Sequence, residues 1–97
     1  MRTLRVMVNF YPNKRNSFPP LNYGYRPHFV VNGDSELLGI EFSGCDLKEY
    51  SVFGEAVVKL LYENVGYHKL EKGVCFKIVE GSTAVGEGYV LDYIKYI

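Results

Sequence analysis

Residues 22–31 read NYGYRPHFVV. An arginine and a rigid proline stand between two tyrosines and an apolar run. Upstream, residues 12–24 (PNKRNSFPPLNYG) hold three of the four prolines, three asparagines and a glycine, which is the chemistry of a loop. That loop is long for a chain of 97 residues. Pro27 cannot donate to a ladder, but the position just before a strand tolerates it. PHFVV is therefore read as a strand that begins after its proline. Asn32-Gly33-Asp34-Ser35 follows as turn chemistry, the Asn-Gly pair suiting a tight hairpin.

The same period of two recurs on both sides. Leu4, Val6, Val8 and Phe10 alternate with Arg5, Met7 and Asn9, a half-buried strand. In ELLGIEF, Leu38, Ile40 and Phe42 fall on one face. SGCDLKEYSVFGE reads as a connection. GVCFKIVEGSTAVGEGYVLDYIKYI reads as two strands joined at EGST. In SVFGEAVVKLLYENVGY the apolar residues fit helical and strand spacing equally, and periodicity alone leaves both open. Six or so short alternating strands suit a small all-β barrel or sandwich.

Composition bounds the rest. The length fits a single domain spanning residues 1–97. A hydrophobic fraction of 47% excludes a disordered chain. Lys plus Arg and Asp plus Glu are 11 each, so no global field draws the domain onto nucleic acid or an anionic membrane. A local basic patch is left to Lys14 and Arg15, with Arg2 and Arg5 upstream. No apolar run approaches the roughly 20 residues of a membrane-spanning helix. The N-terminus has strand alternation and no signal-peptide core. Cys45 and Cys75 lie far apart without a C-x-x-C, so two free, buried thiols in a soluble, cytoplasmic protein are expected.

Catalytic chemistry finds little footing. No Gly-x-x-x-x-Gly-Lys-Ser/Thr loop is present. EGSTAVGEG is rich in glycine but opens no helix, so it lacks the row of free N–H groups that holds phosphate. His28 and His68 form no metal-ligand spacing with a cysteine or an acid. Cys75 has no cationic neighbour that would hold a thiolate. The expectation is a non-catalytic protein without cofactor or metal.

Two stretches resemble the third domain of bacterial elongation factor Tu. Gly24-Tyr25-Arg26-Pro27-His28-Phe29 is similar to that family's Gly-Tyr-Arg-Pro-Gln-Phe segment. Gly54 and Glu55, then Leu70, Glu71 and Gly73, then Phe76, Ile78, Glu80, Gly81, Val85, Gly86 and Gly88, follow the order and spacing of its closing strands. The resemblance covers nearly the whole chain. It implies a closed six-stranded antiparallel β-barrel, with the ambiguous segment a strand over residues 55–63. On that reading Gly39, Gly86 and Gly88 mark bulges or tight bends, and Tyr23 and Tyr25 pack the barrel's end.

The resemblance also implies partners. The family's third domain holds tRNA along the T stem and docks on other protein domains. Its Arg-Glu-Gly-Gly-Arg-Thr segment, part of the tRNA face, here reads Val79-Glu80-Gly81-Ser82-Thr83-Ala84. Both arginines are replaced, and a phosphate contact is chiefly Coulombic and charge-assisted. Any tRNA binding should therefore be weak. The preferred reading is a module working through protein contacts, since tyrosine is enriched at such interfaces and the chain has nine. A translation-linked module that binds tRNA or the elongation machinery is the alternative. The candidate surface is Tyr23, Tyr25, Arg26, His28, Glu80, Gly81, Tyr93 and Tyr96. LDYIKYI puts apolar bulk on both faces of the last strand, so one face is expected to meet another protein or a further copy of this chain.

Overall fold

The computed structural model describes residues 2–22, 24–62 and 65–94. Six strands form in the order β1 (Thr3–Phe10), β2 (His28–Val31), β3 (Leu38–Cys45), β4 (Gly54–Leu60), β5 (Cys75–Glu80) and β6 (Thr83–Ile94). A single 3₁₀ turn, Tyr67–Lys69, is the only helical element among the described residues. The strands close into an antiparallel barrel in the order β1-β4-β3-β2-β5-β6, with β6 returning to β1. No described helix is long and apolar enough to cross a membrane.

Alternation decides which side chains point inward. Leu4, Val6, Val8 and Phe10 of β1 are fully buried, as are Leu38 and Ile40 of β3 and Phe76 and Ile78 of β5. Each such side chain contributes about 1.5–3 kcal/mol on leaving water. Phe29 and Phe76 stack at the centre, with ring centroids 3.9 Å apart and 16° between the planes. At one end of the barrel Phe10, Phe18, Tyr25 and Phe42 meet edge to face or tilted.

The arginine–proline pair of the opening stretch now has a physical reading. Tyr25, Pro27 and Phe29 are buried while Arg26 is exposed, so the period of two reaches back through the proline. Ile40 N–H donates to Pro27 O (3.2 Å) and Phe42 N–H to Tyr25 O (3.0 Å). The short β2–β3 seam thus extends into the crossover and asks only a carbonyl of Pro27, which a proline can supply. Asn22 fastens the crossover further. Its amide donates to Cys45 O (3.1 Å) and accepts from Cys45 N (3.3 Å), standing in for a missing strand.

Several expectations need correction. The β2–β3 connection is not a tight two-residue hairpin but runs from residue 32 to 37, with Gly33 at φ +86°. Ser43, Gly44 and Cys45 belong to β3, carried past a bulge between Phe42 and Gly44. The ambiguous segment is a strand, but β4 ends at Leu60 because Tyr62 leaves the ladder and lays its ring across Gly39. Glu63 and Asn64 lie outside the described residues. The other bulges lie on β6: Leu91 is the extra residue opposite Arg5/Val6, and Val85, next to Gly86, is the extra residue opposite Ile78/Val79, whereas Gly39 and Gly88 sit in regular register. Gly86 and Gly88 also mark close approach: a Cβ on Gly86 would stand 2.6 Å from Asn9 O.

Lys69 ties the 3₁₀ turn to the β2–β3 connection. Its ammonium lies 2.7 Å from Asp34 Oδ2 and 2.8 Å from Glu36 Oε1. Hydrogen bonds from Lys69 hold both carboxyls below their usual range, helped by the Ser35 N–H at Asp34 and the Gly66 N–H at Glu36. The folded state then binds fewer protons than the unfolded chain near the ordinary carboxylate pKa of about 4, so stability falls as pH drops through and below it. The urea midpoint should decline between about pH 6 and pH 3. Lys69→Met should lower the midpoint at the upper end and flatten the decline. A variant whose decline is as steep as the parent's would assign the acid sensitivity elsewhere.

Candidate interaction surface

On the outer wall, register sets the neighbours. Met7 lies between Glu55 on β4 and Tyr89 on β6, and Tyr89 lies opposite Cys75 on β5. One row therefore reads Glu55–Met7–Tyr89–Cys75. The next places Asn9 beside Glu87 and Glu87 beside Lys77. Phe53, just before β4, brings its ring to 5.9 Å from that of Tyr89 at 49°. Val52, Phe53 and Tyr89 are 41%, 47% and 37% exposed. Between the two rings and Lys77, Glu87 and Cys75 opens a cleft of about 130 Å³.

The charges around the patch are already paired. Arg5 donates to both oxygens of Asp92, Nε to Oδ1 at 2.8 Å and Nη2 to Oδ2 at 3.0 Å. Its Nη1 donates to Glu55 at 2.9 Å. The guanidinium's hydrogen bonds hold the Asp92 carboxyl low. On the other flank Tyr11 Oη donates to Glu87 Oε1 (2.7 Å), and Lys77 Nζ reaches Tyr11 Oη at 3.2 Å and Glu87 at 3.3 Å. The Tyr11 hydroxyl, then Lys77, lowers the Glu87 carboxyl; Tyr11, then Glu87, raises the Lys77 ammonium.

The residues singled out from the sequence do not form one surface among the described residues. Tyr25 is buried and donates its hydroxyl to Glu80, which also accepts from Arg15 Nε at 2.6 Å. Burial, then the bond to Glu80, pushes the Tyr25 phenol up. Gly81 makes the β5–β6 turn at φ +60°. His28 is half-buried in β2 opposite Val79 and Gly39. Arg15 and Tyr25, both held by Glu80, latch the crossover onto the barrel end. Tyr93 lies at the other end, paired with Leu4, with its hydroxyl donated to Tyr67 O at 3.1 Å. Tyr23 and Tyr96 lie outside the described residues, as do Lys95 and Ile97, so the two-faced reading of LDYIKYI rests on Tyr93 alone, which is 44% exposed.

The basic patch does not assemble either. Arg15 is paired with Glu80, Arg5 with Glu55 and Asp92, and Arg2 lies over the Tyr67 ring at the opposite barrel end. A polar hollow of about 530 Å³ is walled by Asn13–Ser17 and Glu80, and it lies open to solvent. Arg26 is a surface group, 3.6 Å from Glu41. Arg26→Ala should lower the unfolding free energy from urea titration by no more than about 0.5 kcal/mol, as exposed ion pairs do; a larger loss would make it a fastener of the crossover.

The thiols need one correction. Cys45 is buried, but Cys75 is exposed. Phe76 and Ile78 take the inward positions of β5, and alternation turns Cys75 out. Burial raises the Cys45 thiol, and only a thiolate reacts readily. A chromogenic disulfide should titrate one thiol in the native chain within minutes and the second only after denaturation. Two fast thiols would contradict the burial of Cys45.

Phe53, Met7, Tyr89 and Lys77 were not singled out in the sequence. The parity of β5 and β6, read outward from the buried Phe76 and Val90, was the available signal. Comparison with protein-family models gives no match for this chain, and comparison with curated proteins gives none either.

Proposed function

We propose that the chain is a non-catalytic binding module on a barrel like the third domain of elongation factor Tu, acting through protein–protein contacts. The observation that carries this is the exposed Phe53–Tyr89 ring pair, with exposed Val52 next to Phe53 in the chain, flanked by charges that are paired within the chain. Apolar side chains gathered on the outer wall of a small domain gain by meeting another apolar surface. Pairing of Arg15 with Glu80 and of Arg26 with Glu41 leaves fewer free cations for a phosphate backbone, so a protein partner is preferred to tRNA.

The test compares two baits in native lysate, with and without ribonuclease: the parent chain and a Phe53→Ser/Tyr89→Ser variant. Proteins held by the parent in both conditions and lost by the variant are the expected result. Retention that vanishes with ribonuclease would favour tRNA or another RNA. Identical proteins on both baits would reject this surface.

A further inference from the structure

Resting on the protein-contact reading, we infer that the cleft beside the Phe53–Tyr89 ring pair, closed on its other side by Cys75, Lys77 and Glu87, receives one uncharged aliphatic side chain, of leucine or methionine size, from a peptide segment of a partner protein. Size is the first reason. The cleft holds about 130 Å³, and an engineered cavity of about 150 Å³ takes up benzene. Pockets that take whole ligands run to about 300–1,000 Å³ and enclose most of the ligand, whereas this cleft is a recess in an open wall. A side chain delivered by a larger molecule fits it.

Charge is the second reason. Lys77 and Glu87 line the cleft and already face each other, with Tyr11 completing their hydrogen bonds. Arg5 is fully engaged on the other flank by Asp92 and Glu55. A charged visitor meets a pair that already neutralises itself and gains little Coulomb energy from it, while an aliphatic one leaves the pair as it is. The Phe53 and Tyr89 rings supply the walls.

Area argues against a second copy of the chain as the occupant. At 41%, 47% and 37% exposure, Val52, Phe53 and Tyr89 together offer on the order of 250 Å² of residue surface, by the usual areas of such residues. A stable dimer buries about 800 Å² on each partner. A side-chain anchor needs far less.

Cys75 lies in the wall of the cleft, and its thiol makes the test direct. The folded chain is equilibrated with equal amounts of three small symmetrical disulfides, bearing isobutyl, 2-aminoethyl or 2-carboxyethyl groups. In each exchange the Cys75 thiolate attacks one sulfur, a mixed disulfide forms, and the other half leaves as thiol. Intact mass and peptide mapping give the distribution at Cys75. The isobutyl adduct should exceed each charged adduct by about tenfold over the ratio found for the urea-unfolded chain, the scale expected for partial burial of a few methylene groups. In the Phe53→Ser/Tyr89→Ser variant, with its fold checked by circular dichroism, the preference should fall to the unfolded ratio. Equal adducts in the native parent, or a preference for a charged adduct, would overturn the inference. Such a result beside a partner lost from the variant bait would leave the protein-contact reading standing without this occupant. A clear isobutyl preference with no such partner would reject that reading while showing the cleft's selectivity.

Discussion

Replacing Gly88 with alanine is expected to cost the domain about 3 kcal/mol or more, at or beyond the upper end of ordinary overpacking. A Cβ there would press against the carbonyl oxygen of Met7, deep inside van der Waals contact, and stand 2.8 Å from Cζ of Phe76. The nearer obstacle is backbone, held in the β1–β6 ladder by the pairing of Met7 with Tyr89 and of Val8 with Gly88. It cannot rotate away as a side chain would. For a domain of this size the loss corresponds to a fall in Tm of roughly 12–24 °C. Trimming the ring by Phe76→Leu should not restore stability, because the Met7 oxygen remains. The control is Gly44→Ala: a Cβ there meets nothing within 4 Å, so its effect should stay within about 0.5 kcal/mol. Thermal melts of the three variants decide it. A Gly88→Ala chain that melts with the parent would mean that β1 and β6 separate at low cost, contrary to the fixed register.

Phe29→Ala should be comparably severe, about 3–5 kcal/mol. Phe29 is fully buried and stacks on Phe76, so truncation opens a hole at the centre of the closed barrel. The walls cannot collapse into it, because every strand is held on both sides by hydrogen bonds. A domain of this length has only about 5–15 kcal/mol in hand, so the variant should be near the edge of folding at body temperature. Phe29→Leu should lose less, keeping most of the volume. A double-mutant cycle with Phe76→Ala should show coupling of about 0.5–1.5 kcal/mol from the aromatic pair itself. Simple additivity would mean that the two rings fill space independently.

The sequence by itself determined the strands and their inner faces. Leu4 to Phe10, Leu38 to Phe42 and Phe76 to Ile78 alternate with a period of two, a local property that needs no partner strand. It determined the crossover too, since Pro12, Pro19 and Pro20 with Asn13, Asn16 and Asn22 cannot continue a ladder. Tertiary structure decided what lies between strands. SVFGEAVVKLLYENVGY was undecided by periodicity alone, and what ends its strand at Leu60 is Tyr62 crossing to Gly39, far away in sequence. Gly86 and Gly88 look like bends along one strand, yet their requirement comes from carbonyls on β1. The exposure of Cys75 follows from parity once Phe76 is known to face inward. The candidate cleft was the least legible. Phe53, Tyr89, Cys75 and Lys77 come from three separate stretches, and only barrel closure, which sets β6 between β1 and β5, brings them to one wall. Local pattern fixes which way a side chain points; its neighbours across the ladder are set by register and closure, which are properties of the whole chain.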